Sequence, residues 1–267
     1  MVWGSRFPRN SGRKITLAQL SIPISCWCFL RAVSHSLSQT QRGLNAIKLE
    51  HLSPEVVLSE KNRNSFVEKF KAHKTPKINE STSHAAVLVP LCTYKGELGF
   101  LYTLRSTKVT TSRRQVSFPG GMYDKEDGNL EESALRETWE ELKIPKEKVD
   151  VWASGNMIDK KNLKVLPVFG YVGEIDPEKL QINTHEVEEA FFHSLKCLCD
   201  RSLCRHTQFR NGYTLPVYMG GKHRIWGFTA AITHIVLNAL VPDAYKHKLA
   251  YLSTISPERR SNNLSRT

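Results

Sequence analysis

The run Leu130-Glu-Glu-Ser-Ala-Leu-Arg-Glu-Thr-Trp-Glu-Glu-Leu142 is where this sequence places residues that can do chemistry. At 100° per residue the spacing predicts a helix with Leu135, Thr138, Trp139 and Leu142 on a core-facing side. Glu137, Glu140 and Glu141 then crowd the opposite side, spaced i, i+3 and i+4. Like charges at i and i+4 cost a few tenths of a kcal/mol, and acids in a last turn oppose the helix dipole at about 0.3–1 kcal/mol each. Within that turn and a half only Arg136 offers relief. A hard divalent cation, which prefers carboxylate oxygens, removes both penalties. An acidic solvated face has the same pattern, so the helix alone leaves both readings open.

The elements that must position these carboxylates surround the helix. Ala85–Cys92 reads as a strand, Lys95-Gly96-Glu97 as a turn and Gly99–Arg105 as a second strand, together a hairpin. Phe118-Pro119-Gly120-Gly121 reads as a sharp turn. Val149–Met157 and Val165–Ile175 follow as strands, and Val187–Leu195 as a strand or the approach to a helix. Gln208–Arg210, Thr214–Met219 and Arg224–Trp226 complete the strand set. A last helix over 229–240 is stopped near Pro242. Short strands with two or three helices predict an α/β (α+β) chain with a mixed β-sheet sandwiched between α-helices.

Phe118-Pro119-Gly120-Gly121, a short loop, and Arg136-Glu137-Thr138-Trp139-Glu140-Glu141 together resemble the signature of the Nudix hydrolase family, whose core is Arg-Glu-x-x-Glu-Glu. Leu104-Arg105-Ser106 and Gln115-Val116-Ser117, leading into the Gly-Gly, resemble the additional signature of its coenzyme A diphosphatases. The likeness runs over roughly residues 84–250 and takes in Tyr213–Tyr218 and His223–Thr229. Four positions depart from it: Gly128 stands where the family has Glu, Lys143 where it has Gly, and Ser112 and Arg114 where the upstream signature has His and Gly.

The resemblance implies a Nudix fold and a metal-dependent diphosphatase using Mg²⁺ or Mn²⁺. Its metal carboxylates fall on Glu137 and Glu141, with Glu140 as a further ligand or support. Arg136 orients them, and Gly120 and Gly121 let backbone approach the diphosphate. The attacking water must give up a proton to Glu140, Glu137 or the loop residue Glu186. Coenzyme A or its thioesters would yield adenosine 3′,5′-bisphosphate and (acyl-)4′-phosphopantetheine. Arg105, Lys108, Arg113 and Arg114 are the cations available for the phosphates, and Arg105 can equally be an ion-pair partner. Trp226 and Phe228 can stack on adenine or fill the core. ADP-ribose or another nucleoside diphosphate derivative is the alternative substrate, and an inactive Nudix-fold binding module the alternative of another class.

Charge narrows the partners. The formal charge is +12, but residues 1–49 hold seven Lys and Arg and no acid. The remaining 31 basic residues face 26 acids, leaving only +5, which argues against a nucleic-acid partner such as an RNA substrate. The acid-free, Arg- and Ser-containing stretch 1–49 matches a mitochondrial targeting segment. Its apolar run Ile15–Leu30 is interrupted by Gln19 and Pro23 and falls short of the ~20 residues of a membrane span. Residues 50–83 read as a linker with a short helix near 61–72, 84–250 as the hydrolase domain and 251–267 as a flexible tail. The final Leu-Ser-Arg-Thr differs from the Ser-Lys-Leu peroxisomal address, so the mitochondrial matrix is the expected compartment. Cys197, Cys199, Cys204 and His206 lack the spacing of a zinc knuckle and read as ordinary thiols and an imidazole. Composition does not decide between monomer and homodimer.

Overall fold

Ser83–Tyr94 (β1) is apolar at nearly every position, as a strand covered on both faces requires. In a computed structural model, which describes residues 50–72, 82–110, 112–160, 162–209 and 212–249, it is the middle of a mixed sheet. The two-residue turn Lys95-Gly96, with φ of 50° and 79°, returns the chain into the antiparallel Glu97–Arg105 (β2). Val116–Ser117 (β3) pairs with β2, and Gly120–Met122 (β4) pairs with β1. Asp150–Ser154 (β5) and Ile158–Lys160 (β6) pair in succession along one edge of Leu163–Glu174 (β7), whose other edge runs parallel to β1. Val187–Ser194 (β8) covers the far side of β2. Cys204–Gln208 (β9) and Thr214–Tyr218 (β10) form a separate hairpin.

Among the described residues the helices are Pro54–Val57 (α1), Glu60–Phe70 (α2), Leu130–Leu142 (α3), Leu195–Cys199 (α4) and Gly227–Leu240 (α5). Period-two alternation along the strands divides the core. Ala86, Leu88, Leu101, Leu166 and Val168 face α3. Val89, Leu91, Phe100, Tyr102 and Phe169 face α2 and α5. The expected sheet between helical layers is therefore present.

Several local expectations change. Residues 54–70 do more than link: Val57, Phe66 and Phe70 enter the core, and Phe66 packs its ring 4.3 Å from Phe169 and 4.9 Å from Phe70. Truncating Phe66 to Ala should cost about 3–5 kcal/mol, read from the urea midpoint. A loss below about 1 kcal/mol would show that this helix is not part of the domain. Gly120-Gly121 continues into β4 rather than ending in a turn. The strand expected at 208–210 is β9, placed earlier, and 224–226 forms a single bridge, Ile225 to Tyr218. Residues 1–49 and 250–267 lie outside the described residues. Among those described, no helix is long and apolar enough to cross a membrane.

Candidate active site

α3 forms where the sequence predicts it. Asn129 caps it, its side chain accepting from the backbone N–H groups of Glu131 and Glu132 at 2.9 and 3.0 Å. Lys143 ends it in the left-handed region at φ 54°, the role usually given to glycine. The helix is rotated from the expected orientation, however. Trp139 is 49% exposed, with the Lys143 ammonium 4.0 Å over its ring, whereas Glu141 is only 2% exposed. Small residues explain this: Ser133, Ala134 and Thr138 are fully buried and make the close contact, which brings Glu141 into the buried arc with them. A pattern that weighs only large apolar residues misplaces the stripe by roughly a quarter turn.

Arg136 organises the acids around it. Its Nε and Nη2 donate to Asp127 at 2.6 and 3.1 Å, Nη2 also reaches Glu137 at 3.1 Å, and Nη1 reaches Glu140 at 3.1 Å. Asp127 in turn accepts from Ser133 Oγ at 2.7 Å and from the Asp124 backbone at 2.9 Å. The guanidinium holds the Asp127 carboxyl down at about 2. In the sequence Asp127 is simply the acid beside Gly128. Its position nine residues before Arg136, at the end of a capped turn, was the one available signal.

Glu137 and Glu141 are pushed the other way. Burial raises Glu141 to about 8, with Glu137 and Glu186 adding to the rise and Arg105 and the Gly120 amide partly offsetting it. Burial also raises Glu137, against the pull of Arg136. Arg105 Nη1 stands 3.9 Å from Glu141 Oε1, while Glu141 Oε2 is buried with no hydrogen-bond partner. Gly121 makes room for Glu137: a Cβ there would collide with its carboxylate. Glu186 comes from the loop before β8, its backbone carbonyl accepting from Ser106 N at 2.8 Å. Asn183, which the sequence gave no reason to single out, donates to Glu186 at 3.4 Å and through its backbone to the Glu141 carbonyl at 2.9 Å.

A cavity of about 430 Å³ opens in front of Gly120, Gly121 and Arg105, with Trp226 and Phe228 on its far side. None of Glu137, Glu140, Glu141 and Glu186 lines it, but the Glu137 carboxylate lies against Gly121, which does. Of the four expected cations only Arg105 lines it. Lys108, Arg113 and Arg114 are exposed, with Arg113 bonded to the Val109 carbonyl at 2.7 Å and Arg114 paired with Glu188 at 2.9 Å. Trp226, expected to be core or stacking surface, is 42% exposed and faces this space. A second hollow of about 420 Å³ lies beyond Arg136 beside Trp139. Glu126, Glu132 and Glu147 line it, so it repels the anion that the first cavity suits.

A carboxylate-bearing helix under a Gly-Gly strand, beside a mixed sheet, defines the Nudix class of fold and site. The NUDIX domain model matches residues 82–210. The chain is 40% identical over 193 residues to the human protein named mitochondrial coenzyme A diphosphatase NUDT8, covering 70% of this chain and 82% of that one. Its mouse counterpart is 40% identical over 185 residues, covering 67% and 88%. Nudix hydrolase 3 of Caenorhabditis elegans is 32% identical over 200 residues, covering 67% and 83%. The chain belongs to the Nudix hydrolase family.

Proposed function

We propose that this enzyme hydrolyses the diphosphate linkage of coenzyme A or its thioesters, giving adenosine 3′,5′-bisphosphate and (acyl-)4′-phosphopantetheine. The observation that carries the reading is the 40% identity across 82% of human mitochondrial coenzyme A diphosphatase NUDT8. The cavity suits such a substrate: Arg105 for phosphate, glycine backbone for close approach, and Trp226 with Phe228 for a flat base.

The residues present fit a divalent ion, Mg²⁺ or Mn²⁺. Glu141 Oε2 is a buried acceptor without a donor, and burial raises the proton affinity of both Glu141 and Glu137, with the neighbouring carboxylates adding to it. Among the described residues no three side chains close around one ion. Mg²⁺ does not require that, since one or two carboxylates with waters and substrate phosphates suffice. Glu137 and Glu141 would hold the ion, with Glu140 supporting through Arg136. When bound, it neutralises phosphoryl oxygens and acidifies water.

The chain's own groups do the rest. Arg136 fixes Glu137 and Glu140, and Arg105 sets both Glu141 and a phosphate. Glu186 is the favoured proton acceptor, because the Glu140 carboxylate is held by Arg136 at 3.1 Å.

The full chain incubated with Mg²⁺ or Mn²⁺ and coenzyme A, acyl-coenzyme A, ADP-ribose and NADH should release adenosine 3′,5′-bisphosphate, resolved by chromatography. Cleavage of ADP-ribose or NADH alone would replace the substrate, and no cleavage would make the chain a binding module. Residues 1–49 carry the protein to mitochondria in this reading, and a fluorescent fusion of that segment should accumulate there. A diffuse signal would overturn it.

A further inference from the structure

A third hollow, of about 290 Å³, shares no lining residue with the catalytic cavity. Arg201 reaches it from the turn after α4, Arg205 and His206 from β9, and His247 and Lys248 from the segment after α5. No acid lines it. Three separate stretches of chain thus bring basic side chains to one concave place, an arrangement that repels itself unless an anion is present.

The site's own surroundings compensate that charge only in part, through Asp200 acting on His247. Among the described residues, none of the five forms an ion pair with a carboxylate. Asp200 is the nearby acid; its carboxylate accepts from Ser202 N and Oγ, both at 2.8 Å, and opposes His247 alone among the five. Arg205 Nη1 donates to the carbonyls of Ser202 and Cys204 at 2.8 and 2.9 Å, which fixes the guanidinium in place. His247 rests on backbone carbonyls of Leu198 and Cys199 and against the Tyr245 ring at 4.8 Å, and its Nε2 is buried without a partner. Tyr245 is itself held, its hydroxyl 2.6 Å from that of Tyr218 and 2.7 Å from His234 Nδ1. One wall of the hollow is therefore built before any ligand arrives, which lowers the entropy lost on binding.

We propose that this basic hollow binds the phosphate group of an organic phosphate, at a site separate from catalysis. Two guanidinium groups favour phosphate, whose several oxygens accept forked donors, over a single carboxylate. The volume is at the small end of ligand pockets, which suits a phosphorylated head rather than a whole dinucleotide. A soluble phosphoester and a lipid headgroup both present this chemistry.

The test is calorimetric titration of the full chain with inorganic pyrophosphate, in EDTA and at low ionic strength, beside sedimentation with phosphatidic acid vesicles and phosphatidylcholine controls. Replacing Arg201 and Arg205 together by Ala should weaken pyrophosphate binding by more than about tenfold, since two charge-assisted contacts are lost. Replacing both by Lys should keep most of it, which separates lost charge from lost folding. Arg105→Ala should leave the affinity within about twofold, because that residue serves the other cavity. Vesicle binding that depends on the same two arginines, without pyrophosphate binding, would support the site and identify its source as a headgroup. Binding of neither probe, binding unchanged in the double Ala variant, or binding lost in Arg105→Ala would overturn the proposal.

Discussion

Glu141→Gln should lower kcat by about 10²–10³-fold, the several kcal/mol that a bound ion's charge stabilisation contributes at a tenfold per 1.36 kcal/mol. The same substitution should stabilise the metal-free fold at alkaline pH. Burial raises the Glu141 carboxyl from its ordinary 4.5 to about 8, so the native state holds this proton more tightly than the unfolded chain does. The sign follows from that difference: as pH rises from about 4.5 to about 8 the unfolded state releases the proton first, and stability falls across that window. Above it the wild type carries a buried charge that Gln lacks, a difference on the order of a few kcal/mol. Urea midpoints in EDTA at pH 6 and pH 9 measure it. Activity within tenfold of wild type, or a wild type whose stability does not fall relative to the variant, would contradict the assigned role. Because Glu141 is 2% exposed, a surface-ligand account, in which Gln changes activity alone, differs measurably from this one.

Arg136→Ala should damage fold and activity together. Its partner Asp127 has a side chain only 3% exposed, and removing the guanidinium strands that carboxylate. Breaking a buried pair from one side costs about 3–5 kcal/mol, and the 32% exposure of Arg136 places the expectation nearer about 2–4. Turnover should drop about 10²-fold, because Glu137 and Glu140 lose the contact that fixes their geometry. The acid limb reports the same pair. Asp127 is held at about 2 rather than the ordinary 3.8, so its contribution is fully present above 3.8 and disappears as pH falls through about 2. That contribution is on the order of 2 kcal/mol, and Arg136→Ala should shift the acid-unfolding midpoint upward. Arg136→Lys should recover part of the stability and little of the turnover, since an ammonium cannot reach Asp127, Glu137 and Glu140 at once. An unchanged acid limb in the Ala variant would contradict the anchoring role.

What the sequence disclosed and what it concealed follow from local and non-local causes. The bounds of α3, the hairpin at Lys95-Gly96 and the core strand over 165–174 were legible because capping, turn chemistry and apolar runs are local, whereas its parallel pairing with β1 was not. The grouping of Glu137, Glu140 and Glu141 was legible as spacing, but their environments were not. Glu141 is buried because Ser133, Ala134 and Thr138 are small enough to let α3 sit close to the sheet. Packing of that kind leaves little trace in a hydrophobic pattern. The same limit applied to Trp139, which bulk alone assigned to the core and the structure leaves 49% exposed. Asp127 and Asn183 were missed as site residues because their partners lie across the fold: Asp127 closes on Arg136, and Asn183 joins Glu186 to the end of α3. The placement of the four candidate cations was hidden for a related reason. Arg113 and Arg114 are near Arg105 in sequence, but the loop between β2 and β3 turns them to solvent. Arg105 stays because it ends a strand beneath the cavity.

The most direct test is a Mn²⁺ titration of the full chain followed by electron paramagnetic resonance, in wild type and Glu141→Gln. Wild type should give a bound-ion signal and the variant an affinity lower by at least about tenfold, with both proteins folded by circular dichroism. Equal Mn²⁺ affinity in the two proteins would contradict it, and would move the reaction away from the buried carboxylate on α3.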